Sequence, residues 1–335
     1  PDYLIDISSL AECYKDYGSH PLNYQLAKLQ TVENASPILL GNIVNLFLDE
    51  WIYAKDEPDY MECMRKAFRR YPIELASCAD LRNPEDEKKF FANCRRHFDN
   101  LRQTIQRTFH DSGYHLDKTD AVLEPSYICE ALGLQGRLDY MQRDMRAFIE
   151  MKSGKADEYS IRNTIVPREN NRVQMLLYQA VLEYSMGMKH QDVAAYLLYT
   201  RYPLLYPARS SWAMVRRAIN LRNRIVADEY SIQFRNNIYY TADKIGSITA
   251  GLLNEKKRTG KLWEQYLRHG IDRTMQSIGH LSETEKAYFY SLYNFISKEQ
   301  YTSKSGDVAY EGKTGAAALW LSTLEEKRES GEILY

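Results

Sequence analysis

Apolar residues recur at helical spacing through the first third of the chain. Residues 36–53 form an apolar run that begins Ser-Pro, a dipeptide suited to the start of a helix. The stretch 60–110 is also predicted to be helical, with breaks near Pro72 and Pro84. Its clusters of basic residues belong either to solvated helix faces or to a nucleic-acid contact.

The pattern changes to alternation after about residue 120. Residues 132–141 alternate, so Arg137 and Asp139 are expected to share one face of a strand. Residues 142–144 can turn the chain, and 146–152 then returns as a second strand. The two runs together predict a β-hairpin.

Beyond the hairpin the pattern is mostly helical again. Residues 170–187 are amphipathic and end near Gly187, and 191–203 read as a further strand that Pro203 stops. The remaining predicted helices cover 211–227, 236–257, 261–279, 282–298 and 315–330.

This order of elements predicts a mixed α/β (α+β) fold, with a small mixed sheet flanked by helices and long helical extensions. We expect an N-terminal helical part over 1–115 and a core over 116–210. A C-terminal helical region over 211–335 would lead into a further domain that this chain lacks.

Composition narrows the class of protein only slightly. The chain has 335 residues and a formal net charge of −1, which neither supports nor excludes a nucleic-acid ligand. No stretch is long and apolar enough to predict a membrane span. The five cysteines form no CxxC pair, which favours reduced thiols and a cytoplasmic location. Because the chain begins at Pro1 without a methionine, we expect it to be part of a longer protein.

Three charged residues of the hairpin are the first candidates for chemistry. Glu150 and Lys152 lie two apart on one predicted strand, and Asp139 lies on the other. The pair is either a surface salt bridge or a catalytic pair. Two neighbouring carboxylates repel each other, and a hard cation such as Mg²⁺ removes that repulsion. Lys152 would then orient or deprotonate a water, or stabilise charge on phosphoryl oxygens.

The following helix adds two polar residues to this group. Gln174 and Tyr178 are four apart and therefore share one helix face. Gln174 suits a hydrogen bond to a phosphate, a water or Lys152, and Tyr178 can place a hydroxyl or stack on a base. An ordinary helix surface would also accommodate this spacing.

The segments "GRLDY", "FIEMKSGKA" and "NRVQMLLYQAV" follow one another in this order. Together they resemble the RecB-like branch of the PD-(D/E)XK nucleases, over roughly residues 36–205. They are similar to the nuclease domain of replication nuclease-helicases and to CRISPR-associated RecB-like exonucleases. The resemblance implies a restriction-endonuclease-like core.

The resemblance also assigns roles to individual residues. The implied metal ligands are Asp139, Glu150 and the backbone carbonyl of Met151, with Glu124 as an upstream acid that helps to hold the metal. Lys152 would be the catalytic lysine, and Gln174 and Tyr178 the RecB-type motif. The implied cofactor is Mg²⁺ or Mn²⁺.

Two departures from the family pattern stand out. Asn45, in "GNIVN", occupies the place of a metal-binding histidine, and we hypothesise weaker binding of a second metal or of manganese. Activity of Asn45→His in Mg²⁺ and in Mn²⁺ tests this. Many relatives carry an iron–sulfur cluster with three cysteines after the Gln-x₃-Tyr helix. Since no cysteine follows Cys129, we predict no such cluster and a colourless protein.

Basic residues near the core are candidates for DNA contacts, because guanidinium groups match phosphate oxygens. They are Arg137, Arg162, Arg168 and Arg172. For Arg137, a salt bridge to a neighbouring carboxylate is an equally open reading.

A Gly-Lys-Thr triplet near the C-terminus does not predict an ATP site. Five residues separate Gly306 from Gly312, where a P-loop has four. A covalently linked helicase motor, which the resemblance makes plausible, would lie beyond Tyr335.

The expected function is therefore a metal-dependent DNA nuclease acting on single-stranded or flap DNA in repair, replication or recombination. Two other readings stay open. One is a nuclease-fold module that binds DNA without cutting it. The other is a helical interaction domain with no metal site.

Overall fold

The computed structural model of the chain describes residues 3–31, 34–111, 113–114, 116–159, 165–235, 237–306 and 322–331. The mixed α/β class is confirmed, because helices surround sheets that contain both parallel and antiparallel pairs. No described helix combines the length and apolar character that a bilayer crossing requires. All five cysteines are free and buried.

The described residues pack into two compact units. The sheet unit comprises Thr31–Ile128 and Gly136–Val215. The helical unit comprises Pro1–Gln30, Cys129–Gln135 and Arg216–Tyr335.

The main sheet has the strand order β10-β9-β6-β5-β2 within the described part of the sheet unit. Its strands are β2 (Ala121–Leu123), β5 (Tyr140–Gln142), β6 (Ala147–Lys152), β9 (Ala194–Tyr199) and β10 (Leu204–Pro207). Strand β6 lies at the centre, parallel to β9 and antiparallel to β5. The predicted turn at 142–144 and return strand at 146–152 are thus confirmed.

Helices cover the sheet on both faces. They are α3 (Ser36–Tyr53), α4 (Tyr60–Arg70), α5 (Pro72–Ser77), α6 (Pro84–Gln103), a π-helical turn at Thr104–Thr108 and α7 (Glu169–Met186). Short 3₁₀ turns lie at Ala79–Leu81, Lys118–Asp120 and His190–Asp192. The predicted bounds of α3 are confirmed, and α7 ends at Gly187, whose left-handed φ of 68° suits glycine.

The alternation of β6 decides what lies on each face of the sheet. Ile149 and Met151 belong to the buried cluster that includes Phe47 of α3 and Phe98 of α6. Phe148 points the opposite way and meets the ring of Tyr178 on α7, with ring centroids 6.4 Å apart. The side chains of Glu150 and Lys152 share the face of Phe148, as the sequence predicts.

The single strand predicted over 132–141 is wrong. The structure has two short strands there, β4 (Leu134–Arg137) and β5, separated by a bend at Leu138 and Asp139. Strand β4 lies in another sheet, of order β1-β4-β3, with β1 at Ile5–Asp6 and β3 at Ser126–Cys129. The alternation is real, but it cannot show that the chain changes sheets halfway.

The remaining short strands are β7 (Glu158–Tyr159) and β8 (Ile165–Val166), which pair with each other. They flank residues 160–164, which lie outside the described residues together with the candidate Arg162.

The helical unit is built mainly from long helices. Its elements include α1 (Ile7–Ala11), α2 (Leu22–Leu29), most of α8 (Trp212–Arg235), α9 (Ile238–Gly246), α10 (Ala250–Leu253), a π turn at Trp263–Leu267, α11 (Arg268–Gly279), α12 (Glu283–Ser305) and α13 (Leu324–Glu329). The single helix predicted over 236–257 is wrong, because it ends at Gly246 and Thr249 caps a new helix. Most of the Gly-Lys-Thr segment, 307–315, lies outside the described residues.

Candidate active site

Asp139 lies in the bend that precedes β5, and it is fixed there by the backbone of β6. Its Oδ2 accepts a hydrogen bond of 2.6 Å from the amide of Met151. Because Asp139 is outside the strand, the expected shared strand face with Arg137 is not formed. The bend instead turns the Asp139 carboxylate towards the end of β6.

Glu150, Lys152 and Gln174 form a closed triangle of hydrogen bonds between β6 and α7. Lys152 Nζ lies 2.8 Å from Glu150 Oε1 and donates to Gln174 Oε1 at 2.9 Å. Gln174 Nε2 donates to the same Oε1 of Glu150 at 2.7 Å. Glu150 is only 3% exposed, so the sequence reading of a surface salt bridge does not describe this pair.

Glu150 keeps one oxygen unused. Its Oε2 is buried and has no hydrogen-bond partner among the residues that the structure describes. A buried carboxylate oxygen without a partner is costly, because it has lost water and gained nothing in return. This orphaned oxygen is the feature of the site that most needs an explanation.

The pKa values of both Asp139 and Glu150 are raised above those of ordinary carboxyl groups. Burial, followed by the negative charge of Asp139, raises the pKa of Glu150 to about 8 against the pull of Lys152. Burial also raises the pKa of Asp139, although the Met151 amide and Lys152 oppose the shift. The protein therefore holds two acids close together at a place that disfavours their charge.

Tyr178 fixes the backbone next to the site. Its hydroxyl donates to the carbonyl of Arg137 at 2.6 Å, immediately before the bend that carries Asp139. The residue is 2% exposed, and burial raises the pKa of its hydroxyl. In this arrangement Tyr178 positions the chain at Arg137, and its ring contacts Phe148 instead of a solvent-exposed base.

Glu124 joins the site through its backbone and side chain. Its amide donates to the carbonyl of Asp139 at 3.2 Å, and its Oε2 lies 3.3 Å from Nη1 of Arg137. Glu124 has a φ of 51°, which is unusual for a residue other than glycine. Arg137 thus forms a salt bridge to a neighbouring carboxylate, that of Glu124. Both side chains are well exposed, so a phosphate can still reach Arg137.

Asp49 was missed by the sequence reading. It lies on α3, and burial, Glu124 and Asp139 all raise its pKa. Asn45 is four residues earlier on the same helix and half-buried, so the two share a helix face with Gly41. The sequence did contain a signal for Asp49, because it is an acid placed one helical turn after Asn45 in a largely apolar helix.

The donor set suits a hard divalent cation. Asp139 and Glu150 supply carboxylate oxygens, one of them the orphaned Oε2. Within an extended strand the N–H and C=O of one residue point to the same side, so the Met151 carbonyl also lies on the side of Asp139. Mg²⁺ commonly uses only one or two protein carboxylates and keeps several waters.

No group of three His, Cys, Asp or Glu side chains gathers into a metal-binding cluster in the described part of the chain. The fit therefore rests on two carboxylates and a carbonyl, which is enough for Mg²⁺ but not for a metal that needs a dense protein cage.

The other described basic candidates lie at the N-terminal end of α7. Arg168 precedes α7 and pairs at 3.6 Å with Asp157, both being well exposed. Arg172 lies in the first turn of α7 and is half-buried. Among the described residues, neither arginine forms an ion pair with Asp139 or Glu150, so a role in DNA contact stays a prediction.

The sequence matches no model of a known protein family. A search of curated proteins likewise gives no match.

Proposed function

We propose that the sheet unit is a metal-dependent nuclease of the RecB-like PD-(D/E)XK kind, which hydrolyses phosphodiester bonds in DNA. Single-stranded or flap DNA handled in repair, replication or recombination is the proposed substrate. The observation that carries the proposal is the unpartnered, buried Oε2 of Glu150, in a carboxylate that Asp139 and Lys152 both influence.

Asp139, Glu150 and the Met151 carbonyl would hold the metal ion. When bound, a divalent cation would offset their negative charge and polarise a phosphate or a water. With that charge compensated, both carboxylates would be ionised, and Lys152 would stay bound to Glu150 as an ammonium group.

Lys152 is the proposed catalytic residue of the protein itself. Its ammonium group can donate to a phosphoryl oxygen as charge develops there, or orient the attacking water. Gln174 is a positioning residue, because its amide binds Lys152 through the oxygen and Glu150 through the nitrogen. Tyr178 acts one step further away, by holding the Arg137 backbone ahead of Asp139.

The experiment is incubation of end-labelled single-stranded, flap and duplex DNA with Mg²⁺, Mn²⁺ or EDTA. We expect the native chain to cut in metal and not in EDTA, and Asp139→Ala and Lys152→Ala to lose activity. Lys55→Ala and Asp56→Ala change an exposed lysine and an exposed aspartate of the same unit, and both should cut normally.

Each failure has its own meaning. Full activity of Asp139→Ala or Lys152→Ala refutes the site. DNA binding without cleavage in any metal favours the module that binds and does not cut. Absence of both DNA and metal binding favours an interaction domain.

A further inference from the structure

A cleft opens in the sheet unit directly beside the end of β6. Its volume is about 500 Å³, within the range of sites that hold small molecules. Its lining includes Leu40 of α3, Phe90 and Asn93 of α6, Ser153 and Lys155 after β6, and Arg201 after β9. Ser153 immediately follows Lys152, so the cleft begins one residue from the proposed catalytic lysine.

The acidic residues that line the cleft are already engaged. Asp80 Oδ2 accepts a hydrogen bond of 2.9 Å from the Ser36 amide, and Asp86 pairs with Lys89 at 2.9 Å. Lys155 and Arg201, by contrast, form no ion pair with any residue that the structure describes. Three basic residues of the lining, Lys89, Lys155 and Arg201, outnumber the two acids Asp80 and Asp86, so the formal charge of the lining is positive.

A second arginine lies next to Arg201. Burial and then the positive charge of Arg201 lower the pKa of Arg96. The side-chain hydrogen bond of Arg96 goes to a neutral group, Asn93 Oδ1, at 2.6 Å. Guanidinium groups suit phosphate oxygens, because each presents paired N–H donors.

We propose that this cleft binds the sugar–phosphate backbone of the DNA strand that is cut. Arg201 and Lys155 would contact phosphates, with the charge of Arg96 adding to that of Arg201, and Leu40 and Phe90 would supply an apolar surface for a sugar or base. The proposal rests on the proposed function. Three residues of chain span at most about 10 Å, so the phosphates held at Lys155 would be close neighbours of the one at Lys152.

These contacts would carry no sequence information, because phosphate contacts position a strand without reading its bases. The cleft should therefore bind strands of different base composition about equally. Its binding should also fall steeply with salt, since each phosphate contact releases counterions.

The test measures binding of a fluorescent thymidine oligonucleotide to the full chain in EDTA, by anisotropy at several salt concentrations. Arg201→Ala and Lys155→Ala should each weaken binding several-fold at low salt. Each should also reduce the slope of log affinity against log salt by about 0.7, the value for one single-strand phosphate contact. Arg201→Lys should recover part of the loss. Arg65→Ala removes an exposed arginine of α4 outside the cleft, and should bind like the native chain.

Thymidine monophosphate serves as a competitor that carries the same chemistry without a strand. It should displace the oligonucleotide only weakly, because one nucleotide makes few of the phosphate contacts. Equal affinity for the two ligands would indicate a free-nucleotide site and overturn the proposal. So would unchanged affinity and salt slope in Arg201→Ala and Lys155→Ala, or no binding by the native chain.

The two proposals fail in different ways. Failure of the nuclease proposal appears as absence of metal-dependent cleavage while binding in EDTA still depends on Arg201 and Lys155. Failure of the cleft proposal appears as normal cleavage with binding that ignores both residues.

Discussion

Within the described residues, each unit buries one glutamate beside a lysine, and the two pairs differ in how many carboxylate oxygens have hydrogen-bond partners. In the helical unit, Glu229 is 5% exposed and Lys28 Nζ lies 2.8 and 2.7 Å from its two oxygens. Gln25 donates to the first oxygen at 2.5 Å, and Tyr3 to the second at 3.3 Å. No oxygen of Glu229 is left over.

In the sheet unit, Glu150 receives both Lys152 and Gln174 on a single oxygen, while Oε2 receives nothing that the structure describes. Both glutamates have a lysine partner, but at Glu150 Asp139 adds a second acid whose charge raises the pKa of Glu150. The same residue types thus form a structural cross-link in one unit and an incomplete site in the other. The difference lies in the unused oxygen and the second carboxylate.

The largest expected effect is on catalysis, and it should separate the two lysines. Lys152→Met should reduce metal-dependent DNA cleavage by about 10²–10⁴-fold, the range for loss of a positioned acid–base group. Lys28→Met should leave the cleavage rate per folded molecule unchanged. The measurement is initial cleavage rate, normalised to the folded fraction by circular dichroism. A similar loss in both variants would remove the distinction between the pairs.

Stability should show the reverse order. Lys28→Met leaves the buried Glu229 without its cation, and we expect a cost of about 3 kcal/mol in the free energy of unfolding. This is the low end for breaking a buried pair, because Lys28 itself is 21% exposed. Lys152→Met should cost less, since Glu150, with its raised pKa, can take up a proton instead.

Urea unfolding of both variants checks this order. The double variant Lys28→Met with Glu229→Leu should regain much of the lost stability, because it removes the buried charge as well. A greater loss for Lys152→Met than for Lys28→Met would contradict the comparison.

Metal binding should affect only the incomplete pair, and its pH dependence follows from Glu150. The pKa of this carboxyl is raised from 4.5 to about 8, so between these values the native state holds a proton that the unfolded state releases. Without metal, stability therefore falls as the pH rises through this window. A metal ion takes the place of the proton and should stabilise more above pH 8 than near pH 6.

Thermal unfolding with and without Mg²⁺ measures this effect. Saturation at a hundred times the dissociation constant would add about 2.7 kcal/mol to the native chain. Glu150→Gln should lose this gain, while Glu229→Gln should keep it. An Mg²⁺ effect that ignores Glu150→Gln would place the metal elsewhere.

Features of the fold and the site that depend on residues close together in the sequence could be predicted, and features that depend on residues far apart could not. The bounds of α3 and the shared face of Glu150 and Lys152 follow from local periodicity, which the sequence displays directly. The bend at Asp139 does not, because alternation continues through it while the chain leaves one sheet for another. For Gln174 the sequence leaves a phosphate, a water and Lys152 open as partners, and only the packing of α7 beside β6 brings it to Lys152.

The cleft and the orphaned oxygen could not be predicted. Leu40, Phe90, Lys155 and Arg201 are far apart along the chain and meet only through the packing of α3 and α6 on the sheet. Whether Oε2 of Glu150 has a hydrogen-bond donor depends on which side chains pack beside it, and the sequence does not show that packing. Asp49 lies between these cases, since its helical spacing from Asn45 was visible but its approach to Glu124 and Asp139 was not.

The smallest expected effect is on acid stability, and it concerns His97. Like Glu150, this buried residue has a side-chain atom without a hydrogen-bond partner among the described residues. His97 is fully buried on α6, its Nδ1 lies 2.7 Å from Thr200 Oγ1, and its Nε2 has no partner among the described residues. Burial, assisted by Arg96 and Arg201, lowers its pKa from 6.5 to about 4. Unlike Glu150, it has no acidic neighbour among the causes of that shift.

We therefore expect His97 to govern acid stability and not catalysis. The unfolded state takes up a proton below pH 6.5 that the native state refuses until about pH 4, so stability is full above 6.5 and falls as the pH drops. Between neutral pH and about pH 5 the loss should be about 2 kcal/mol. His97→Gln should flatten this part of the pH–stability curve measured by urea unfolding, yet cleave DNA at neutral pH. A variant that cleaves poorly while fully folded would mean that an unused buried nitrogen marks a site even without a second charge, and the criterion drawn from Glu150 would be too narrow.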